Sequence, residues 1–178
     1  RRTMTAECAD LHLQIKSGSD VSLFNGLLRH LYSRGDIDSQ FVFAHTDGLA
    51  AAMLAATTHD DERVCADTGL SAIQLRQFYE LFTVHAKTVT GFSMGVNQAE
   101  DGTNKVNAII NCHLLTGRIG KEGAGPFSIT GQPNAMGGRE VGGLANMLAA
   151  HMEISNPDHR TAVQTFWHSP RMATKPGL

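Results

Sequence analysis

The chain has 178 residues, enough for one substantial core, and its 15 basic and 17 acidic residues nearly cancel to a formal charge of -2. This balance argues against nucleic acid or an anionic membrane as a partner, and no apolar stretch approaches the roughly 20 residues of a membrane span. Three widely spaced cysteines predict neither a disulfide framework nor a CxxC metal site, and they favour a reducing, cytoplasmic compartment.

The first predicted unit runs from a strand to a helix. Residues 9–16 alternate apolar and polar positions, which predicts a half-buried strand that ends in the turn of residues 17–20. Apolar residues then recur at helical spacing over 21–32, with Asp20 as the predicted cap and Gly35 as the stop.

The second predicted unit follows a less informative stretch. Residues 41–56 are apolar and Ala-rich, and the polar residues 57–67 predict a surface loop or a divergent connection. Ser71 is predicted to cap a helix, after which the β-branched residues of 87–92 predict a buried strand. Residues 94–98 are therefore expected to form the loop that leaves this strand.

Thr103 is predicted to cap a third helix that ends just before Gly117. The predicted apolar stripe of this helix contains Val106, Ile109, Ile110, Leu114 and Leu115. The repeated order of strand, loop and helix predicts an α/β fold: a Rossmann-like, mostly parallel sheet with flanking helices, as part of a multidomain protein. In such sheets ligands bind at the carboxyl ends of strands, and the 17–20 and 94–98 turns both fall at such ends.

The glycine-rich run of residues 131–140 is expected to mark a change of domain. We expect residues 1–131 to complete one cofactor-binding domain and residues 132–178 to begin the next α/β segment. Residues 141–152 predict a helix, and a polar tail is expected from residue 156.

Several familiar motifs are absent from the sequence. Gly120 and Lys121 do not belong to a P-loop, because Glu122 stands where a Ser or Thr would be needed for magnesium. The glycines of residues 138–143 do not match a dinucleotide-binding fingerprint. The nine histidines lack metal-ligand spacing, so no metal held by protein side chains is predicted.

The longer strings carry a specific resemblance. Within residues 91–152, GFSMGVNQ, NAIINCHLLTGRIGKEGAG and ITGQPNAMGGREVGG closely resemble the molybdopterin oxidoreductases of the dimethyl-sulfoxide-reductase superfamily, and among them the bacterial assimilatory nitrate reductases. The similarity extends upstream through ADLHLQIKSGSDVSLFNGLLRHLYSRG and the opening RRT, with residues 57–67 the least family-like part.

This resemblance implies a molybdenum ion held between two molybdopterin guanine dinucleotides. The positions that match cofactor-contacting loops are Arg1, Arg2, Thr3, Gly18, Ser19, Asp20, Met94 and Gln98. Asp20 suits the edge of guanine, because a carboxylate accepts hydrogen bonds from both the ring N–H and the exocyclic amine. Asp20 is also the predicted cap of the helix that follows, and the two roles are compatible.

The resemblance also places Gln132 and Arg139 near the molybdenum and on the substrate path. The implied reaction is two-electron reduction of nitrate to nitrite by oxygen-atom transfer, for nitrate assimilation. A planar guanidinium matches planar nitrate, and an amide donates a hydrogen bond without adding charge. The alternative for Arg139 is a structural salt bridge with Glu140 or another carboxylate.

Other parts of the family pattern are expected to lie outside these residues. They are the cysteine motif for a 4Fe-4S cluster, the molybdenum ligand and the C-terminal cofactor domain. The chain is therefore expected to be an internal fragment of the enzyme and to be inactive alone. Ser17 replaces a proline common in relatives, which loosens the turn but leaves Gly18 and Asp20 in place. The implied electron donor is a ferredoxin, a flavodoxin or an NADH-linked reductase.

Two other functions remain open at this point. A molybdenum formate dehydrogenase of the same superfamily shares the MGxxQ pattern, although ITGQPNAMGGREVGG favours nitrate reductase. The second alternative is a noncatalytic scaffold subunit that has lost its cofactor. The residues retained at the cofactor and substrate positions argue against this function.

Overall fold

The computed structural model describes residues 2–129, 131 and 133–177. These residues belong to two units, Arg1–Ile129 and Thr130–Leu178. Arg1 and Gln132, both predicted site residues, lie outside the described residues. In the part of the chain that is described, no helix has the length and apolar character needed to cross a bilayer.

The first unit is rich in helices and contains two strands. In chain order its elements are α1 (Met4–Glu7), α2 (Asp20–Arg34), α3 (Ser39–His45), α4 (Leu49–Thr57), α5 (Asp61–Thr68), α6 (Ala72–Val84), β1 (Val89–Phe92), α7 (Met94–Asn97), α8 (Gly102–Leu115) and β2 (Gly125–Ser128). The second unit contains α9 (Ala135–Glu140), a short 3-10 turn (Ala149–His151) and α10 (Pro157–Trp167).

Helix α2 has the predicted length and the predicted stop. Gly35 adopts φ 80°, and the backbone N–H groups of Gly35 and Asp36 donate to the carbonyls of Tyr32 and Leu31, which is a Schellman ending. The predicted cap is wrong by one residue. Ser19 holds the N-cap position, and Asp20 is the first helical residue.

Two other helices follow their local signals. Ser71 caps α6 as predicted and forms a reciprocal capping box with Gln74. Helix α8 ends as predicted, with Gly117 following its end at φ 60°, but the predicted cap is wrong by two residues, because Asp101 rather than Thr103 holds the N-cap position.

The strands β1 and β2 pair in parallel, with Val89 opposite Gly125 and Phe92 opposite Ser128. Helices α7 and α8 lie between them in the chain, so the unit is a β-α-β crossover and the α/β prediction is confirmed. Strand β1 alternates exposed and half-buried residues, so the prediction that it is buried is wrong. Strand β2 was not predicted, because its first two residues, Gly125 and Pro126, both disfavour strands.

Two segments differ from their predictions. Residues 9–16 are irregular rather than a strand, because no strand lies beside them in residues 2–129, and the Lys16 N–H donates to the Thr68 carbonyl instead. The predicted loop of 57–67 is largely helix α5, which Asp60 caps by accepting from the N–H of Arg63 at 2.8 Å.

The core of the first unit is built around α2, which packs against α4, α5, α6 and α8. Its fully or almost fully buried side chains include Leu27, Leu28, Leu31, Val64, Leu75, Tyr79 and Cys112. Because these residues come from α2 itself and from three of the helices packed on it, α2 and the turn that precedes it are held firmly in place.

The second unit departs most from prediction. The predicted helix over 141–152 is absent, because Gly142 adopts φ 76° and Gly142 and Gly143 end α9 in a Schellman arrangement. The predicted polar tail contains α10, which Asn156 caps by accepting from the N–H of Asp158 at 2.9 Å. Proline at the first position of α10 also favours this helix start.

Candidate functional site

The 17–20 turn presents open backbone at the start of α2. Gly18 has φ +86°, and a Cβ at this position would meet no atom within 4 Å. Ser19 is buried, and its hydroxyl donates to the Lys16 carbonyl at 2.6 Å, which fixes the turn. A ligand could therefore approach the Gly18 backbone closely without displacing protein atoms.

Asp20 follows this turn and forms an ion pair that the sequence did not predict. Its Oδ2 lies 2.9 Å from Nζ of Lys105, and the Lys105 side chain is only 6 % exposed. The Asp20 side chain is 20 % exposed, so part of the carboxylate stays accessible to solvent. Because a carboxylate offers about four lone-pair sites, this bond leaves acceptor capacity for a further donor.

The 94–98 turn follows β1 directly. It consists of the single helical turn α7, and the N–H of Gln98 donates to the Met94 carbonyl at 3.0 Å. The Met94 side chain is 55 % exposed, and Gln98 is exposed as well. A Cβ at Gly95 would meet no atom within 4 Å, so the backbone here is also open to a ligand.

The first turn of α8 contacts both of these turns. A Cβ at Gly102 would lie 2.5 Å from the Asn97 carbonyl oxygen, so only glycine allows α8 to approach the 94–98 turn this closely. Three residues later, Lys105 reaches Asp20. The structure thus brings two predicted cofactor segments to the same end of one helix.

Lys105 was not among the predicted site residues, although the sequence carried a signal for it. Lys105, Ile109 and Cys112 recur at the i, i+4, i+7 spacing of one helix face, and all three are buried. The predicted apolar stripe included Ile109 correctly, but it also included Val106 and Ile110, which are half-buried, and it omitted Lys105. A lysine on the buried face of a helix indicates a specific partner, because an ammonium group is rarely buried without one.

The N-terminal residues are less informative. Thr3 caps α1, and its hydroxyl accepts from the N–H of Ala6 at 3.3 Å. Arg2 is exposed. Among the contacts of the described residues, no hydrogen bond or ion pair joins Arg2 or Thr3 to the 17–20 turn.

Arg139 belongs to the second unit and lies near the end of α9. Its side chain is exposed, and residues 133–177 provide no carboxylate partner for it. The neighbouring Glu140 accepts from Nε2 of His151 at 2.8 Å, so the structure does not contain the Arg139–Glu140 salt bridge considered as the alternative.

A buried polar cluster lies beneath β1 in the first unit. Nε2 of His113 shares a hydrogen bond of 2.8 Å with the Thr90 hydroxyl, and the guanidinium of Arg118 donates to the Phe82 carbonyl at 2.8 Å while stacking on the Phe82 ring. Burial, with a smaller contribution from Arg118, lowers the pKa of His113 to about 4. His113 is therefore neutral in the folded protein at neutral pH.

This shift predicts a stability that depends on pH. Above pH 6.5 His113 is neutral in both states, whereas between pH 6.5 and about 4 only the unfolded state binds the proton, so stability falls as the pH falls. The expected slope is at most about 1.4 kcal/mol per pH unit. His113→Gln should flatten the decline in melting temperature of the full-length protein between pH 7 and pH 4.5.

The matched control is His85→Gln, because His85 is exposed. It should leave the pH dependence of melting as it is in the unaltered protein. An equally steep decline in the His113→Gln protein would refute the assignment.

Residues 1–172 match the family model for molybdopterin oxidoreductases. The chain belongs to the molybdopterin oxidoreductase family. This membership confirms the resemblance found in the motifs, and it implies a molybdenum–pterin cofactor.

Curated relatives of this molybdopterin oxidoreductase include two proteins named nitrate reductase, from Shewanella frigidimarina and Klebsiella oxytoca. Both are 47 % identical, over 99 % and 100 % of this chain and 19 % and 20 % of their own lengths. The assimilatory nitrate reductase catalytic subunit of Bacillus subtilis is 33 % identical over 94 % of this chain and 24 % of its own length. The chain thus spans about a fifth to a quarter of these relatives.

Among solved structures, this molybdopterin oxidoreductase resembles acetylene hydratase from Pelobacter acetylenicus. The TM-score is 0.64 at 20 % identity, over 69 % of this chain and 17 % of that one. At this level of identity the likeness concerns the fold alone.

Proposed function

We propose that the full-length protein is a molybdenum-dependent nitrate reductase of the assimilatory type that acts in the cytoplasm. The observation that carries the proposal is the 47 % identity, over nearly the whole chain, to two proteins named nitrate reductase. The 178 residues would be inactive alone, because they span about a fifth of the length of those proteins.

The proposed cofactor is molybdenum bound by two molybdopterin guanine dinucleotides, and the described residues fit such a group. Open space above Gly18 and Gly95 would admit a large ligand to the backbone. Asp20 retains an accessible carboxylate for a guanine edge, and Met94 and Gln98 have exposed side chains. We assign the remaining cofactor contacts to Arg1, Arg2, Thr3 and Ser19.

For the substrate, we propose that Arg139 binds nitrate and that Gln132 donates a hydrogen bond to one of its oxygens. The exposed guanidinium of Arg139, with no carboxylate partner in residues 133–177, supports this role. A guanidinium presents two parallel N–H groups to a planar oxyanion and keeps its charge at every physiological pH.

In the proposed reaction, nitrate loses one oxygen atom, two electrons and two protons are consumed, and nitrite and water are the products. The cofactor, when bound, supplies the redox chemistry of this transfer. The residues of this chain orient nitrate, favour its negative charge and position the cofactor. A 4Fe-4S cluster in another part of the protein would deliver electrons from a ferredoxin, a flavodoxin or an NADH-linked reductase.

We assign residues 1–131 to the end of the Rossmann-like cofactor domain and residues 132–178 to the start of the next α/β segment.

The test uses the full-length protein, purified without oxygen. Elemental analysis should give one molybdenum and about four iron atoms per chain, which are the amounts that the proposed cofactor and cluster require. With reduced methyl viologen the enzyme should convert nitrate to nitrite, and it should not oxidise formate. Formate oxidation without nitrate reduction, or absence of molybdenum from an intact protein, would overturn the proposal.

A further inference from the structure

The ion pair between Lys105 and Asp20 has features that packing alone does not explain. The Lys105 ammonium is almost fully buried, and Asp20 is its ion-pair partner among the described residues. Burying a charge is costly, and a buried ion pair often adds no more stability than apolar residues of similar volume would. The pair is therefore explained better by what it holds in place than by a contribution to stability.

The location of Lys105 indicates what that role is. Lys105 lies in the first turn of α8, the same turn in which Gly102 packs directly on the Asn97 carbonyl. One helical turn therefore fixes the 94–98 turn through a backbone contact and Asp20 through a charged contact. A shift of α8 would move both segments relative to each other.

We propose that Lys105 is a positioning residue for the guanine dinucleotide part of the cofactor, and that it acts through Asp20. This inference rests on the proposed function. Lys105 holds Oδ2 of Asp20, which fixes the plane of the carboxylate and directs its remaining lone pairs toward the guanine edge. It also sets the distance between this carboxylate and the 94–98 turn.

The geometry explains why a cation is needed at this position. Recognition of guanine by a carboxylate requires two parallel N–H donors to meet the two oxygens in one plane. A carboxylate at the start of a helix otherwise samples several rotamers, and each wrong rotamer loses one of the two bonds. A charged hydrogen bond from a buried, immobile ammonium selects one of them.

The experiment measures bound nucleotide in the full-length enzyme. Acid hydrolysis releases GMP from a guanine dinucleotide, and GMP is counted per polypeptide together with molybdenum. Lys105→Met keeps most of the apolar stem and removes the charge, and it should lower GMP content about tenfold or more, as Asp20→Asn should. Lys105→Arg keeps a charged donor and should retain most of the nucleotide.

Lys121→Met is the matched control. Lys121 also pairs with an aspartate, Asp38, at 3.2 Å, but the Lys121 side chain is 57 % exposed and Asp38 lies at the start of α3, away from the 17–20 and 94–98 turns in the sequence. The control should keep its full GMP content. A Lys105→Met enzyme with unchanged GMP content would overturn the positioning role and leave the proposed nitrate reduction standing.

A double variant, Asp20→Asn with Lys105→Met, separates positioning from folding. It removes both charges, so its melting temperature should recover toward that of the unaltered protein. Its GMP content should stay as low as that of Asp20→Asn alone, because both changes act on the same contact. Recovery of GMP together with stability would show a purely structural pair and overturn the inference.

Discussion

Replacing Arg139 with alanine is expected to lower kcat/KM for nitrate about 10- to 100-fold in the full-length enzyme, which is the range for loss of a charged hydrogen-bonding partner. The physical reason is the loss of a planar, permanently charged donor pair for an anionic substrate. The molybdenum and GMP contents should not change, because the Arg139 side chain is exposed and makes no helix-capping hydrogen bond within residues 133–177.

Two further variants show whether the effect is specific to the guanidinium of Arg139. Arg139→Lys keeps the charge but presents a single rotatable donor group, so its kcat/KM should fall between those of the unaltered enzyme and the alanine variant. Arg171→Ala removes another exposed arginine of the second unit and should leave nitrate reduction unchanged. If Arg139→Ala reduces nitrate with unaltered kcat/KM, Arg139 has no part in binding the substrate.

Replacing Gly26 with valine is expected to destabilise the first unit by about 3 kcal/mol. Gly26 lies on α2 where α5 and α6 converge, and a Cβ there would lie 2.6 Å from a methyl group of Val64 and closer still to the Tyr79 hydroxyl. Both neighbours are fully buried, so neither can move aside without disturbing the core. The gain in helix propensity over glycine is at most about 1 kcal/mol and does not compensate.

The Gly26 effect is measured as amide hydrogen exchange in α2 of the full-length protein, where about 3 kcal/mol corresponds to roughly hundredfold faster exchange. Tyr79→Phe provides the internal control. The Tyr79 hydroxyl is buried without a hydrogen-bond partner among the described residues, so its removal alone should have little effect. The same removal should relieve part of the damage in a Gly26→Ala protein. Exchange at the normal rate in Gly26→Val would contradict the packing argument.

Local sequence signals predicted the first unit better than the second. The C-terminal end of α2 and the start of α6 follow from Gly35 and Ser71, because capping depends on residues within one turn of the helix end. The same reasoning applied to Gly142 and Asn156 would have ended α9 and begun α10 correctly. The helix predicted over 141–152 came from following apolar spacing across Gly142 and Gly143, and α10 was missed because its polar residues were taken as a tail although Asn156 and Pro157 begin a helix.

The strands were predicted incorrectly for a different reason. Residues 9–16 carry a strand pattern but form no strand, whereas β2 forms from a weak pattern because β1 provides its hydrogen bonds. A strand depends on a neighbour that is distant in sequence, so alternation alone does not decide whether it forms.

The sequence alone determined the family, the α/β class and the segments proposed to meet cofactor and nitrate, because these depend on residue type and spacing along the chain. Only the tertiary structure decided that Lys105 is buried against Asp20, that Gly102 lets α8 pack on the 94–98 turn, and that His113 is buried and neutral. The ion pair and the burial of His113 depend on residues that are far apart in the sequence and become neighbours only when α8 packs against α2 and the β1–β2 sheet, and burial and charge pairing are properties of those neighbours. Gly102 and Asn97 are only five residues apart, but how closely they approach depends on how the chain folds between α7 and α8.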